Sequence, residues 1–375
     1  MQKTSNFFRI TLIYFFSLLL FVGLRIVFNL GFLSELNENL SDLISSLLIQ
    51  VIVMFFVPLL FYFLLFRKKP KEVFSSLGFK KISGKVVLIS FLIGLIAFAL
   101  NIFISSIFNG LIEAFGYKSP FSSSTQDYSV LGFVLSVFCT AILPAVCEEL
   151  VHRGILMRGL YNSISVKHSL IISSICFGLM HLNIVQVFYA TILGLLIGFV
   201  SIVGKSIWPA VIIHFTNNFV NVYLSYAYKN GWVLGNFYDV LNELLSKNYL
   251  LSFVFIILLV CVLIYFLIYL ILKLLKITSY ENFKSVIYSL KKSFNKDFAS
   301  HSTYGEISHL DYVNDIEPII LENIQEPKDM SDLFFQDIYP KEKLYVKDLI
   351  FLICIFFLSG IITIFTFIWG LLWLQ

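Results

Sequence analysis

The sequence predicts an all-α polytopic membrane protein, and three observations carry that prediction. Hydrophobic residues make up 58% of the chain and charged residues only 13%, where a soluble domain carries about a quarter. Apolar runs of roughly 20 residues, enough for a helix to cross a bilayer, recur along the 375 residues. Basic residues gather at the ends of these runs, as topology signals do, rather than forming a surface suited to nucleic acid. About eight to nine transmembrane helices are expected, enclosing a buried polar site, with a polar insert before the last of them.

The first run, 7–32, contains Arg9 and Arg25 and no small-residue cleavage site, so it reads as a retained helix rather than a removed signal peptide. A short acidic loop (Glu35, Glu38, Asp42) leads to the second, about 43–66, which Arg67-Lys68-Lys69-Pro70-Lys71 stops. The third follows Lys80, Lys81 and Lys85 at about 86–108, and a serine-rich loop from Ser119 to Ser129 precedes the fourth. The fourth starts near Val130 and continues past Glu148 to Arg153 and Arg158. The fifth (about 168–184) and sixth (about 186–203) are joined by a very short connection near Asn183. Gly194 and Gly198 give the sixth a G-x-x-x-G pair, a mark of close helix packing. The seventh covers about 206–228 and the eighth about 249–275. Residues 277–346 are polar, with charges of both signs and one short apolar patch, Ile319-Ile320-Leu321, and read as a soluble insert. A ninth run, about 347–373, follows it, and no internal repeat is visible.

The chain thus divides into N-terminal transmembrane helices (1–128), a core (129–228), an additional transmembrane helix (229–275), a soluble insert (276–346) and a C-terminal transmembrane helix (347–375). Nine spans with the N-terminus inside place all five basic clusters in the cytoplasm: Lys3 with Arg9, Arg67–Lys85, Arg153–Lys167, Lys205 and Lys273–Lys296. The insert is then cytoplasmic and the C-terminus outside. Cys139, Cys147, Cys176, Cys261 and Cys354 lie in or beside apolar runs without C-x-x-C spacing, so neither a disulfide framework nor a zinc ribbon is indicated.

Chemistry concentrates in Glu148-Glu149-Leu150-Val151-His152-Arg153. Ionisable side chains inside an apolar helix are costly and mark functional sites by default. With a helix rise of about 1.5 Å per residue, Glu148 lies about 20 Å from the basic end of its helix, His181 about 20 Å and His214 about 14 Å along theirs. All three reach similar depths from one face. Glu149 and Arg153 stand i,i+4 and can pair, while Glu148, rotated by about 100°, points elsewhere, into a cavity. Phe177 and His181 share the i,i+4 spacing, as do His214 and Asn218, two polar groups suited to gripping one oxygen. Pro144 removes a backbone hydrogen bond four residues before Glu148 and favours a kink there.

A carboxylate and an imidazole can activate water by general base catalysis, with His214 and Asn218 donating to the resulting oxyanion. Alternatively, Glu148, His181 and His214 bind a divalent metal such as zinc that generates the nucleophile. Both routes end in hydrolysis of an acyl bond. His152, His168, His301 and His309 read as structural, and neither H-E-x-x-H nor G-x-S-x-G occurs.

The ordered trio E-E-x-x-x-R (Glu148 to Arg153), F-x-x-x-H (Phe177 to His181) and H-x-x-x-N (His214 to Asn218) resembles the CAAX-prenyl-protease and bacteriocin-processing (CPBP, abortive-infection) family of intramembrane proteases, over about residues 130–225. The resemblance implies that Glu148 is the water-activating base, assisted by His181. Glu149 and Arg153 would orient the site, and His214 with Asn218 would hold the oxyanion. It leaves both a metalloprotease and a metal-free glutamate mechanism open. The insert and ninth span are additions to the expected family core and would recruit a protein partner or gate access. The composition looks bacterial, which implies a multi-pass plasma-membrane protein linked to bacteriocin immunity or peptide maturation. The expectation is an intramembrane endopeptidase acting on a peptide or protein near the cytoplasmic leaflet, with no nucleic-acid partner. The alternatives are a catalytically idle membrane scaffold or regulator of the same family, and a proton-relay transporter, which the lack of repeats and paired broken helices disfavours.

Overall fold

The computed structural model describes residues 5–118, 127–246, 249–279 and 342–372. These are helices and their connections, with no strand among the described residues. In chain order they are α1 (Asn6–Asn29), α2 (Asn39–Phe66), α3 (Pro70–Ser76), α4 (Gly84–Ala114), α5 (Val130–Leu160), α6 (Val166–Leu179), α7 (Ile184–Val203), α8 (Trp208–Asn230), α9 (Phe237–Ser246), α10 (Tyr249–Thr278) and α11 (Val346–Leu372). Their starts follow local chemistry. Ser5, Ser83, Ser129, Ser165 and Asn183 each accept a backbone N–H of the first turn of α1, α4, α5, α6 and α7, which satisfies an otherwise orphaned donor. Pro209 opens α8, where a missing N–H costs nothing.

All nine expected spans fold as helices, but seven of the described helices are long and apolar enough to cross a membrane. The two exceptions have separate causes. α6 has 14 residues and rises about 21 Å, short of a hydrocarbon core of about 30 Å. α8 has the length but carries Asn217, Asn218, Asn221 and Lys229. Both lie inside the bundle against α7, α4 and α5, where neighbouring protein replaces lipid. The expected insert falls largely outside the described residues, from 280 to 341, together with His301, His309 and the patch Ile319-Ile320-Leu321. The short amphipathic helix α9 is an element that the sequence reading leaves out.

Hydrogen bonds sort the connections onto two faces. On one face Ile207 N donates to Gly78 O (2.9 Å), Ser206 Oγ to Lys80 O (2.8 Å), Lys205 Nζ to Ser279 Oγ (3.1 Å) and Asn6 N to Glu342 Oε2 (2.9 Å). On the other, Asn39 Nδ2 donates to Asp127 Oδ2 and Tyr226 OH to Asp127 O (both 2.7 Å), and Lys118 N to Gly370 O (3.3 Å). Bonds from Asn39 and Ser129 hold the Asp127 carboxyl below its ordinary range. The first face carries Arg67, Lys68, Lys69, Lys71, Lys80, Lys81 and Lys205 together with Glu72 and Glu342, and the second Glu35, Asp127 and Asp239 together with Lys118 and Lys229. Lysine and arginine are in excess on the first face, the charge signal of a cytoplasmic side.

Two apolar clusters flank a polar seam. One joins α1, α2, α5 and α6 through residues such as Ile10, Met54, Leu150 and Cys176. The other joins α4, α7, α8 and α10 through Ile93, Ile197, Ile213 and Leu274. α6 and α7 press together where Gly178 faces α7, and a Cβ at that position would lie 2.7 Å from the Val187 carbonyl. Gly178→Val should therefore force the two helices apart and lower stability by about 1–3 kcal/mol, the usual cost of overpacking. Thermal unfolding in detergent checks this, and an unchanged melting temperature would contradict the packing.

Candidate active site

The site is built around an interruption in α5. The helix is π-helical at Val137–Ile142, α-helical at Leu143–Glu149 and π-helical again at Leu150–Met157. The first π segment ends just before Pro144, where the sequence predicts a kink. An α-helical Thr140 carbonyl would be met by the N–H of residue 144, which proline lacks. Asn218 Nδ2 donates to that carbonyl at 3.0 Å. π segments of this kind gather at functional sites, and Glu148 and Glu149 stand at the end of the short α-helical stretch between the two.

Adjacent positions on the helix send the two carboxylates in different directions. Glu149 faces α7 and α8. Its Oε1 accepts from Arg153 Nη1 at 2.9 Å and from His214 Nδ1 at 2.8 Å. Arg153 Nη2 donates to Gly194 O at 2.9 Å, and the guanidinium stacks 4.6 Å from the centre of the Phe177 ring. Both members of the ion pair are fully buried. The G-x-x-x-G pair of α7 makes room for them, since a Cβ at Gly194 would come 3.2 Å from Arg153 Nη2. An ionised Glu149 requires a proton on His214 Nδ1, so Nε2 is the ring nitrogen that remains for another partner. Phe177 also meets the rings of His152, His181 and His214 edge-on, at 5.1, 5.3 and 5.6 Å.

Glu148 faces the opposite way, onto a cavity of about 230 Å³ lined also by Arg25, Gln50, Met180, His181 and Gln186. Gln50 Nε2 donates to Glu148 Oε1 at 2.9 Å. His181 Nδ1 lies 3.0 Å from the Phe177 carbonyl. A carbonyl only accepts, so Nδ1 carries the proton and the Nε2 lone pair is available. His181 occupies the turn between α6 and α7, where Leu182 has φ +56°, an uncommon backbone for a branched side chain and one that gathers at functional sites. Thr366 Oγ1 of α11 donates to the Leu182 carbonyl at 3.1 Å.

The six expected residues therefore separate into three positions. Glu148 and His181 share the cavity. Glu149, Arg153 and His214 form a buried cluster behind it. Asn218 is held by Thr140 and by Asn217, whose Nδ2 donates to its Oδ1 at 3.0 Å, so it does not grip a common group with His214 in this conformation. The expected metal set of Glu148, His181 and His214 is not assembled. Among the described residues no three His, Cys, Asp or Glu side chains cluster closely enough to hold a metal ion.

His152 is structural, as expected, but it acts on the site. It is fully buried, with Nδ1 2.7 Å from the Glu148 carbonyl and Nε2 3.0 Å from the Tyr14 hydroxyl, so it ties the Glu148 backbone to α1. Gln50, Arg25 and Tyr14 are additions to the sequence reading. The signal for Gln50 and Arg25 was their isolation in apolar runs. Tyr14, one aromatic among many, gave none.

Removing one member of a buried ion pair leaves a desolvated charge and costs about 3–5 kcal/mol, whereas replacing both with apolar groups is often neutral. Arg153→Met and Glu149→Gln should each lower the melting temperature in detergent, and the double variant Glu149→Leu/Arg153→Met should recover most of that loss. Single variants as stable as the parent would contradict a buried, mutually dependent pair.

Comparison with known proteins supplies one match. The family described as Rce1-like, type II CAAX prenyl endopeptidase, matches residues 130–220. Comparisons with curated proteins and with solved structures return no match. The matched segment runs from the start of α5 to the middle of α8 and contains all three motifs. It is the segment of the chain that is similar to the Rce1-like type II CAAX prenyl endopeptidases, a family of intramembrane proteases.

Proposed function

We propose that this chain is an intramembrane endopeptidase in which Glu148 activates the attacking water. The observation that carries the reading is that Glu148 and His181 line one polar cavity within the bundle. Glu148 is only 8% exposed, so water reaching it is separated from bulk solvent. Gln50 holds one carboxylate oxygen, His152 pins its backbone, and the other oxygen is left to accept a proton from water.

The water, deprotonated by Glu148 with His181 Nε2 as second acceptor, attacks the scissile carbonyl. Negative charge then grows on the carbonyl oxygen. Asn218 Nδ2, one turn further along α8, takes that charge once it exchanges the Thr140 carbonyl for it, and His214 joins it as the imidazolium, with Nδ1–H on Glu149 and Nε2–H donating to the oxyanion. Glu148 returns its proton to the leaving amine. The metal route, with zinc or a similar ion, requires Glu148, His181 and His214 to be drawn into one cluster, and no step above depends on it. The composition supports a bacterial plasma membrane as the setting, and in that setting the family resemblance supports bacteriocin immunity or peptide maturation as the role. A protein partner would be recruited through the insert.

The test expresses wild type and Glu148→Ala at equal membrane levels in one host and compares membrane and secreted peptides by mass spectrometry. General base catalysis contributes about 10²–10⁴-fold, so peptide ends that depend on this protein should vanish with Glu148→Ala. Identical profiles would favour a catalytically idle scaffold or regulator.

A further inference from the structure

The cavity has a floor and a rim, and they lie at different depths. Gln50 and Glu148, both 8% exposed, form the floor, while Arg25 is exposed and Ser45, Ser46 and Gln186 are half-buried. The rim residues all stand near helix ends. Arg25 lies about 6 Å before the end of α1, Ser45 about 9 Å after the start of α2, and Gln186 about 3 Å after the start of α7. Gln50 lies about 16 Å along α2. Each of those helix ends belongs to the face carrying Glu35, Asp127 and Asp239, opposite the face of Arg67, Lys80 and Lys205.

A cavity that becomes more exposed toward one set of helix ends opens on that side. We propose that the cavity is entered from the face opposite the basic loops, the non-cytoplasmic face by charge asymmetry. Its substrates are then polypeptide segments displayed on the non-cytoplasmic side of the membrane. This inference rests on the protease reading for the word substrate, but the direction of access does not. It differs from the sequence expectation of a reaction near the cytoplasmic leaflet. The depth of Glu148 from the basic end of α5 places the floor of the cavity and says nothing of its mouth.

Accessibility of single cysteines tests the direction independently of activity. The five native cysteines are first replaced by serine or alanine in the full chain, and retention in the membrane is checked. Ser45→Cys, Ser46→Cys and Gln186→Cys are then introduced singly, with Ser279→Cys as the marker of the basic face. A membrane-impermeant maleimide is applied to intact cells and to permeabilised cells. The expected result is labelling of positions 45, 46 and 186 in intact cells and of position 279 only after permeabilisation. Labelling of the three rim positions only after permeabilisation would overturn the proposal. So would labelling of position 279 in intact cells, or rim cysteines that react with a permeant maleimide alone. If the rim is labelled from outside and Glu148→Ala leaves the peptide profile unchanged, the access route stands and the protease reading falls.

Discussion

The buried contact between Glu149 and Arg153 is the constraint on which the rest of the site depends. Both side chains are fully buried in the bundle, where an unpaired charge costs several kcal/mol, so every neighbour has to accommodate the pair. α7 does so with Gly194, whose missing side chain admits the guanidinium and whose carbonyl accepts from it. α6 does so with Phe177, whose ring lies over the guanidinium. α8 does so with His214, whose Nδ1 meets the carboxylate oxygen that Arg153 already holds. One ion pair thereby fixes α5, α6, α7 and α8 relative to each other and sets the proton of His214.

Glu148 follows from that arrangement. Once Glu149 is committed to α7 and α8, helix geometry turns its predecessor toward α1, α2 and the end of α6. There it meets Gln50 and the cavity shared with His181. The division of labour between two adjacent carboxylates, one locked in an ion pair and one facing a polar cavity, is what the proposed chemistry needs. The π segments on either side of the Glu-Glu pair let α5 make both sets of contacts within a few residues.

Much of this was legible in the sequence, because the signals are strong and local. An apolar run with Glu, Glu and Arg inside it demands a partner for each charge, and the i,i+4 spacing of Glu149 and Arg153 names one pair. The opposite facing of Glu148 follows from a single rotation. The helices themselves follow from run length and basic flanks. Three things were not legible for physical reasons. The shortness of α6 depends on where the chain turns at His181 to Asn183, and the apolar character continues through that turn. The bond from Asn218 to Thr140 depends on a carbonyl stranded by Pro144 on another helix. The contribution of α1 and α2 to the cavity depends on tertiary placement, since Arg25, Tyr14 and Gln50 are more than ninety residues from Glu148.

The most direct measurement is made on the purified protein in proteoliposomes, with a cleavable peptide present and hydroxylamine added as a competing nucleophile. Direct attack by water that Glu148 has activated passes through no acyl-enzyme. The account therefore predicts a carboxylate product without a hydroxamate, and a rate that falls by about 10²–10⁴-fold in Glu148→Gln. A hydroxamate product, or a Glu148→Gln protein that cleaves at the parent rate, would contradict it.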